Sequence, residues 1–168
     1  ALNQYRQALK IQPNYIRANN NMGLALMEKG ENGKAIRYFQ AVMALDPHHA
    51  SAYNNMGIAL AKTGDIEGAI RNFRRALEMN PHDPNTHNNL GMSFWAKRDY
   101  RRAAGYFLNA LKLNPHDVSV LNNLKRCITH ADDSESAKEH IKKALRMEPN
   151  VLEAYKILEG VMTRDVQE

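Results

Sequence analysis

The sequence predicts an all-α solenoid, a stack of helix pairs in which each pair packs mainly on its neighbours. The first observation is a strict period of 34 residues, marked by five prolines: Pro13, Pro47, Pro81, Pro115 and Pro149. The second is that other positions keep the same period: Ala35, Ala69, Ala103 and Ala137, each followed by Phe39, Phe73, Phe107 or Ile141. The third is that the apolar residues inside each period recur at helical spacing, which predicts one helical unit per period.

The period divides the chain into segments. Residues 1–15 are predicted to be the second helix of a truncated repeat, and 16–49, 50–83 and 84–117 to be full repeats. Residues 118–151 form a divergent repeat, and 152–168 a C-terminal capping helix and tail. The chain opens without Met and in the middle of a repeat, so we expect it to be part of a longer protein whose localisation signals and any catalytic domain lie elsewhere.

The second repeat illustrates how each unit is built. Apolar residues at helical spacing predict one helix over 50–63 and another over 66–79. Gly64 is expected to end the first helix and Asp65 to cap the second. Gly57 lacks a side chain and therefore allows close approach of the helices, and Phe73 can fill the space between them. Asp83 followed by a proline predicts the start of the next helix.

The fourth repeat departs from this pattern. Lys125 stands where the other repeats have glycine, and Asp132-Asp133 replaces the turn that contains Gly64. Glu159 occupies the corresponding place in the last predicted helix, 152–163. These polar residues predict looser packing or a helix that covers the end of the stack.

The pattern resembles the tetratricopeptide repeat (TPR) over almost the whole chain. In the second repeat the matching residues are Met56, Gly57, Leu60, Gly64, Asp65, Ala69, Phe73, Ala76 and Pro81. The resemblance implies a right-handed superhelix of antiparallel helix pairs, with the first helix of each pair lining a concave groove that holds protein ligands.

An asparagine ladder is the feature that most strongly indicates a function. The fifth and sixth residues of the three full repeats and of the divergent repeat are Asn20-Asn21, Asn54-Asn55, Asn88-Asn89 and Asn122-Asn123. At about 100° per residue, Asn55 points away from the packed side of its helix. A carboxamide both donates and accepts, so the sixth-position asparagines can bond to the backbone of an extended peptide.

The ladder is similar to that in the TPR superhelix of O-linked N-acetylglucosamine transferase, which holds extended polypeptide. A structural hydrogen bond is the alternative interpretation, and for the fifth-position asparagines the two are evenly balanced. Eight asparagines inside helices cost roughly 4–5 kcal/mol relative to alanine, which favours a compensating role.

Other residues are predicted to line the same groove. The early part is apolar and the later part basic: Leu24, Met27, Ile58, Met92 and Trp95, then Arg126, Thr129 and His130. Trp95 either anchors a ligand residue or packs against an adjacent helix, and the sequence supports both equally.

Composition and motifs favour an interaction protein over an enzyme. The charge of +5 on 168 residues is moderate, and no apolar run reaches the roughly 18 residues of a membrane span. The single cysteine, Cys127, excludes an internal disulfide and fits a reducing compartment such as the cytoplasm. No catalytic constellation, phosphate loop or metal cluster is evident, so no cofactor is predicted.

Two other kinds of partner, a metal ion and a nucleic acid, are not favoured by the sequence pattern. His48, His82 and His116 lie one repeat apart, too far to share an ion. The basic residues of the second helices lack interleaved aromatic residues and are diluted by carboxylates, so nucleic acid is not the predicted partner.

Three functions follow. The first is a scaffold that binds a protein or peptide in extended conformation. The second is a structural scaffold that self-associates through its N-terminal edge, and the third is a substrate-recruiting segment of a larger enzyme.

Overall fold

Helices are the only regular structure in residues 2–130, the part of the chain that the computed structural model describes. The side chain of Ile128 is not included in that description. The eight helices are α1 (Leu2–Ile11), α2 (Ile16–Glu28), α3 (Asn32–Leu45), α4 (Ala50–Lys62), α5 (Ile66–Met79), α6 (Pro84–Ala96), α7 (Tyr100–Leu113) and α8 (Val118–His130). The Asp132-Asp133 turn, Glu159 and the predicted helix 152–163 lie outside these residues.

The helices belong to two compact units, Ala1–Pro81 and His82–Glu168. In unit 1, α2 packs on α3 and α4 on α5, while α1 packs on α2 and α3 on α4. In unit 2, α6 packs on α7 and α7 on α8. The helices α2, α4, α6 and α8 are the first helices of the predicted repeats, and α3, α5 and α7 are second helices. This all-α pairing confirms the predicted fold class, whereas the repeat boundaries and the superhelical handedness stay predictions.

Short turns connect the helices of each pair. Gly30 and Gly64 end these turns with backbone φ angles of 77° and 91°, a left-handed conformation that glycine adopts without steric cost. Arg98 occupies the same place in the third repeat and has a φ of 58°. A side chain in this conformation costs roughly 1–2 kcal/mol, so the turn geometry is retained there against the preference of the residue.

Aspartates cap the helices at the same period. The Oδ1 atom of Asp65 accepts a hydrogen bond from the backbone N–H of Gly68 at 2.8 Å. Asp83 and Asp117 cap α6 and α8 in the same way, and Asp99 caps α7. The start signals predicted at Asp65 and Asp83 are therefore confirmed, and each cap satisfies donors that a helix start would otherwise leave unpaired.

A glycine against a phenylalanine ring sets the spacing within each pair. A Cβ atom built on Gly57 would lie 2.6 Å from Cε1 of Phe73, which is too close for any side chain. The contact recurs at Gly23 with Phe39 and at Gly91 with Phe107. These phenylalanines are completely or almost completely buried. Close helix approach at glycine, predicted for Gly57 and Phe73, is thus a property of all three complete pairs.

Apolar side chains are buried in both units. In unit 1 one core cluster contains Phe39, Met22 and Met56, and part of α1 packs against it through Leu2, Tyr5 and Leu9. In unit 2 the buried residues include Leu90, Phe94, Phe107, Leu111, Leu124 and Cys127. Within the described residues, no helix combines the length and the apolar character needed to cross a membrane.

Two residues of α8 show how the fourth repeat differs. Lys125, which replaces the glycine of the other repeats, is exposed. Cys127 is completely buried, and this burial raises the pKa of its thiol to about 12. Since the thiolate is the reactive form, the Cys127 side chain acts as a core residue at neutral pH.

Two glycine substitutions in unit 2 test the spacing. Gly91→Ala should lower the free energy of unfolding by about 1–3 kcal/mol, because the new methyl group would overlap the buried Phe107 ring. Gly105→Ala is the matched control, since a Cβ atom there meets nothing within 4 Å. It should raise stability by up to about 1 kcal/mol through helix propensity. Urea unfolding of both variants measures the difference, and equal stability would contradict the spacing role of Gly91.

Candidate functional site

The asparagine ladder lies entirely on first helices. Asn20 and Asn21 belong to α2, and the later pairs belong to α4, α6 and α8 in the same register. Asn122 is exposed and the other seven are half-buried, so their carboxamides are neither part of the core nor fully solvated. The second helices α3, α5 and α7 contribute none of them.

Fifth- and sixth-position asparagines of successive repeats bond to each other within each unit. In unit 1, Nδ2 of Asn55 donates to Oδ1 of Asn20 at 3.2 Å. In unit 2, Nδ2 of Asn123 donates to Oδ1 of Asn88, also at 3.2 Å. Both pairs are 35 residues apart, one repeat plus one residue. The bond joins a first helix to the first helix of the following repeat.

This bond assigns a role to each position. The fifth-position asparagines Asn20 and Asn88 accept from the next repeat, which supports the structural interpretation for these two residues. The sixth-position carboxamides of Asn55 and Asn123 use one of their two Nδ2 hydrogens in the bond. A carboxamide has a second hydrogen and an acceptor oxygen, so these side chains are oriented and keep further capacity to bond.

The inter-repeat bond is a feature that sequence reasoning missed. A period of 34 aligns residues exactly one repeat apart, whereas the bond joins residues at an offset of 35. Two adjacent asparagines in every repeat, each able to donate and accept, were the signal that could have revealed it. Within residues 2–130, the carboxamide of Asn21 makes no such bond.

Apolar residues stand three positions after the sixth-position asparagines. Leu24 and Met92 are 36% and 39% exposed, so both apolar side chains are accessible to a ligand. Ile58 is half-buried and packs partly against the core of unit 1. The prediction that Met27 lines the same surface is wrong, because Met27 is only 8% exposed and belongs to that core.

Trp95 belongs to a cluster of aromatic and basic side chains in unit 2. Its ring centroid lies 4.9 Å from that of Tyr100 and 5.0 Å from that of His130, the latter edge-on at 71°. The guanidinium carbon of Arg126 lies 4.7 Å above the Trp95 ring. Packing against the adjacent helix, one of the two predicted roles of Trp95, is therefore observed. The half-buried ring also keeps part of its surface in contact with solvent.

Arg126 takes part in no ion pair among the described residues. The ion pairs of this part of the chain include those of Lys34 with Glu31, Arg75 with Glu78 and Arg102 with Asp99. Burial would raise the pKa of the Asp99 carboxyl group, but the hydrogen bonds and charge of Arg102 outweigh it and hold this pKa below its ordinary value. Asp99 is therefore a charged cap for α7, and its charge is compensated locally.

Two other kinds of site, a metal site and a surface cleft, are weaker candidates among the described residues. No group of three or more His, Cys, Asp and Glu side chains in this part of the chain is arranged to hold a metal ion. An open cleft of about 450 Å³ lies along α7, where Arg101, Arg102, Tyr106 and Lys112 are among its lining residues. The cleft is formed by a second helix, whereas the asparagines lie on first helices.

Comparison with known proteins identifies the repeat. The tetratricopeptide repeat is matched at residues 15–82 and again at residues 84–117, together more than half of the chain. The chain belongs to the tetratricopeptide repeat family. Such solenoids present extended surfaces that bind other proteins, so the chain is a TPR protein of the interaction-scaffold class.

Similar solved structures agree on the fold of this TPR protein. A crystal structure of the MamA protein has a TM-score of 0.74 at 22% identity and covers 87% of this chain and 80% of that chain. MamA 41-end from Desulfovibrio magneticus RS-1 has a TM-score of 0.73 at 22% identity, covering 88% and 83%. The first TPR of Spaghetti (RPAP3) bound to the HSP90 peptide SRMEEVD has a TM-score of 0.67 at 18% identity, covering 71% and 94%.

No curated protein sequence matches this TPR protein significantly. The identities to these three structures are below one quarter, so the similarities describe the fold and leave the ligand to be argued from the residues.

A double-mutant cycle on Asn20 and Asn55 tests the inter-repeat bond. The two alanine substitutions should show a coupling of about 0.5–1.5 kcal/mol in the free energy of unfolding, the range of one net hydrogen bond. A cycle on Asn21 and Asn55, which make no bond to each other, is the control and should be additive within about 0.5 kcal/mol. Equal couplings in both cycles would contradict the assigned bond.

Proposed function

We propose that this protein is a scaffold that binds extended polypeptide along its first helices, through the sixth-position asparagines Asn21, Asn55, Asn89 and Asn123. The single observation that carries the proposal is the bond from Asn55 to Asn20 and its equivalent in unit 2. It orients a carboxamide while leaving hydrogen-bonding capacity on that side chain.

The chemistry of a carboxamide fits a peptide backbone. Its N–H donates to a backbone C=O and its oxygen accepts from a backbone N–H, so one asparagine can satisfy both groups of a ligand residue. An extended chain rises about 3.3 Å per residue, and packed helices lie about 8–10 Å apart. Successive asparagines within a unit would then meet about every third ligand residue.

Backbone contacts of this kind tolerate many ligand sequences, and the neighbouring side chains supply preference. Leu24, Ile58 and Met92 offer apolar contacts of different shapes, and methionine in particular adapts to varied side chains. With a net 0.5–1.5 kcal/mol per hydrogen bond and the cost of ordering the ligand, an affinity in the micromolar range is expected. One of the similar structures, the first TPR of Spaghetti (RPAP3), is bound to a peptide, which supports peptide binding by this fold.

Self-association is the second candidate function. Ile11 at the end of α1 is 87% exposed, and Tyr15 in the following turn is 40% exposed. These side chains offer apolar surface on the N-terminal edge, where burial in a second copy would stabilise by roughly 25 cal/mol per Å². Sedimentation across a range of concentrations separates this function from peptide binding, because only self-association changes the mass. The third function, recruitment of substrate for an enzyme, depends on sequence beyond this chain.

Alanine at all four sixth-position asparagines tests the proposed function. Binding of a random pool of acetylated, amidated nonapeptides should fall at least tenfold, because the backbone of the ligand loses its partners. The variant should remain helical by circular dichroism, since alanine is the better helix former.

The matched control replaces four exposed asparagines outside the ladder, Asn14, Asn80, Asn85 and Asn114. It should bind the pool as the original protein does. Unchanged affinity in the ladder variant, or an equal loss in the control, would overturn the proposal.

A further inference from the structure

We propose that unit 2 contains a subsite for an acidic side chain of the ligand, formed by Arg126 stacked on Trp95. The inference rests on the proposed function and deepens it by naming the ligand chemistry at one position. The occupant is the carboxylate of an aspartate or glutamate within an extended polypeptide.

The stacking geometry prepares Arg126 to bind a carboxylate. Its guanidinium carbon lies 4.7 Å above the Trp95 ring, within the distance of an attractive cation–π contact. A guanidinium that stacks on an aromatic face still directs its N–H groups outward, in a fork that matches the two oxygens of a carboxylate. Arg126 is exposed, so a ligand can reach this fork.

Two neighbouring aromatic rings hold the ring of Trp95 in place. Trp95 contacts the ring of Tyr100 on one side and the ring of His130 on another. The Nδ1 atom of His130 lies 3.0 Å from the backbone oxygen of Arg126, and because that oxygen can only accept, Nδ1 is the donor. Side chains of two helices, α7 and α8, thus fix the Trp95 ring on which Arg126 rests, which reduces the ordering cost of binding.

The charge of Arg126 is not neutralised within the described part of the chain. None of the ion pairs there involves Arg126. The carboxylate beside Tyr100 in sequence, Asp99, bonds to Nε of Arg102 at 2.6 Å. Within residues 2–130, no carboxylate compensates the positive charge that an acidic ligand group would meet at Arg126.

The register of the repeats places this charge beside the ladder. Arg126 occupies the position that is apolar in the other three repeats: Leu24, Ile58 and Met92. It follows the sixth-position Asn123 by three residues, so the two share one face of α8. A ligand backbone held by Asn123 would thus place a neighbouring side chain near Arg126, and the fourth repeat replaces an apolar contact by an ionic one.

Two peptide pools test the subsite on the whole chain at about 0.15 M salt. Both contain acetylated, amidated nonapeptides with random sequence, and they differ only in a fixed central Glu or Gln. The original protein should bind the Glu pool about fivefold more tightly, the upper range for an exposed ion pair. Arg126→Gln should remove most of this preference, and Trp95→Leu should reduce it although the charge is retained.

Lys125→Gln is the matched control, because it removes the same charge from the adjacent exposed residue and should keep the preference for Glu. Circular dichroism checks that every variant is folded. A third pool, with central Gln and a free C-terminal carboxylate, separates an acidic side chain from a chain terminus.

Each of the following outcomes would overturn the proposed acidic subsite. If the Glu and Gln pools bind equally well, the acidic subsite is wrong and the proposed function stands. Equal loss in Arg126→Gln and Lys125→Gln would show general attraction by net charge, and preference for the free C-terminus over central Glu would show a different ligand group. Failure of all pools to bind would overturn the proposed function together with the subsite.

Discussion

The contact between a glycine of the first helix and a phenylalanine of the second is the constraint on which the other features of each pair depend. Because Gly57 has no Cβ atom, the ring of Phe73 lies directly against the backbone of α4. One side of α4 is therefore packed against its partner helix, α5. Asn55 precedes Gly57 by two residues, about 200° around the helix, and therefore lies on nearly the opposite side.

The same constraint explains why the asparagines of successive repeats meet. With the glycine side of each first helix fixed against its second helix, neighbouring first helices are held in a constant register within a unit. The 3.2 Å bonds from Asn55 to Asn20 and from Asn123 to Asn88 are its two observed consequences. The bond between repeats offsets part of the cost of placing asparagine inside a helix, and we propose that the sixth-position asparagines also bond to a ligand.

Much of this architecture follows from the sequence alone, since the period of 34 residues repeats every structural signal. Asp65 and Asp83 were identified as caps and Gly64 as a helix end because each depends on local backbone geometry. Met27 was misplaced because helical spacing alone does not show how wide the buried stripe of α2 is. The inter-repeat asparagine bond and the stacking of Arg126 on Trp95 depend on two helices that are distant in sequence, and a single-helix pattern cannot reveal such pairs.

Arg98 shows a further limit of the pattern. Its turn has the left-handed backbone of Gly30 and Gly64, although an arginine is poorly suited to that conformation. The packing of α6 on α7 and the cap at Asp99 determine this turn more strongly than the preference of one residue. Where local preference and repeat packing disagree, repeat packing determines the geometry.

Side-chain amide NMR with a bound peptide tests the central claim most directly. Addition of the random nonapeptide pool should shift the carboxamide signals of Asn21, Asn55, Asn89 and Asn123, because their N–H groups would bond to the ligand backbone. The signals of Asn80 and Asn114, exposed at the ends of second helices, should not move. Saturable shifts confined to residues outside the ladder, with the four asparagine signals unchanged, would contradict the account.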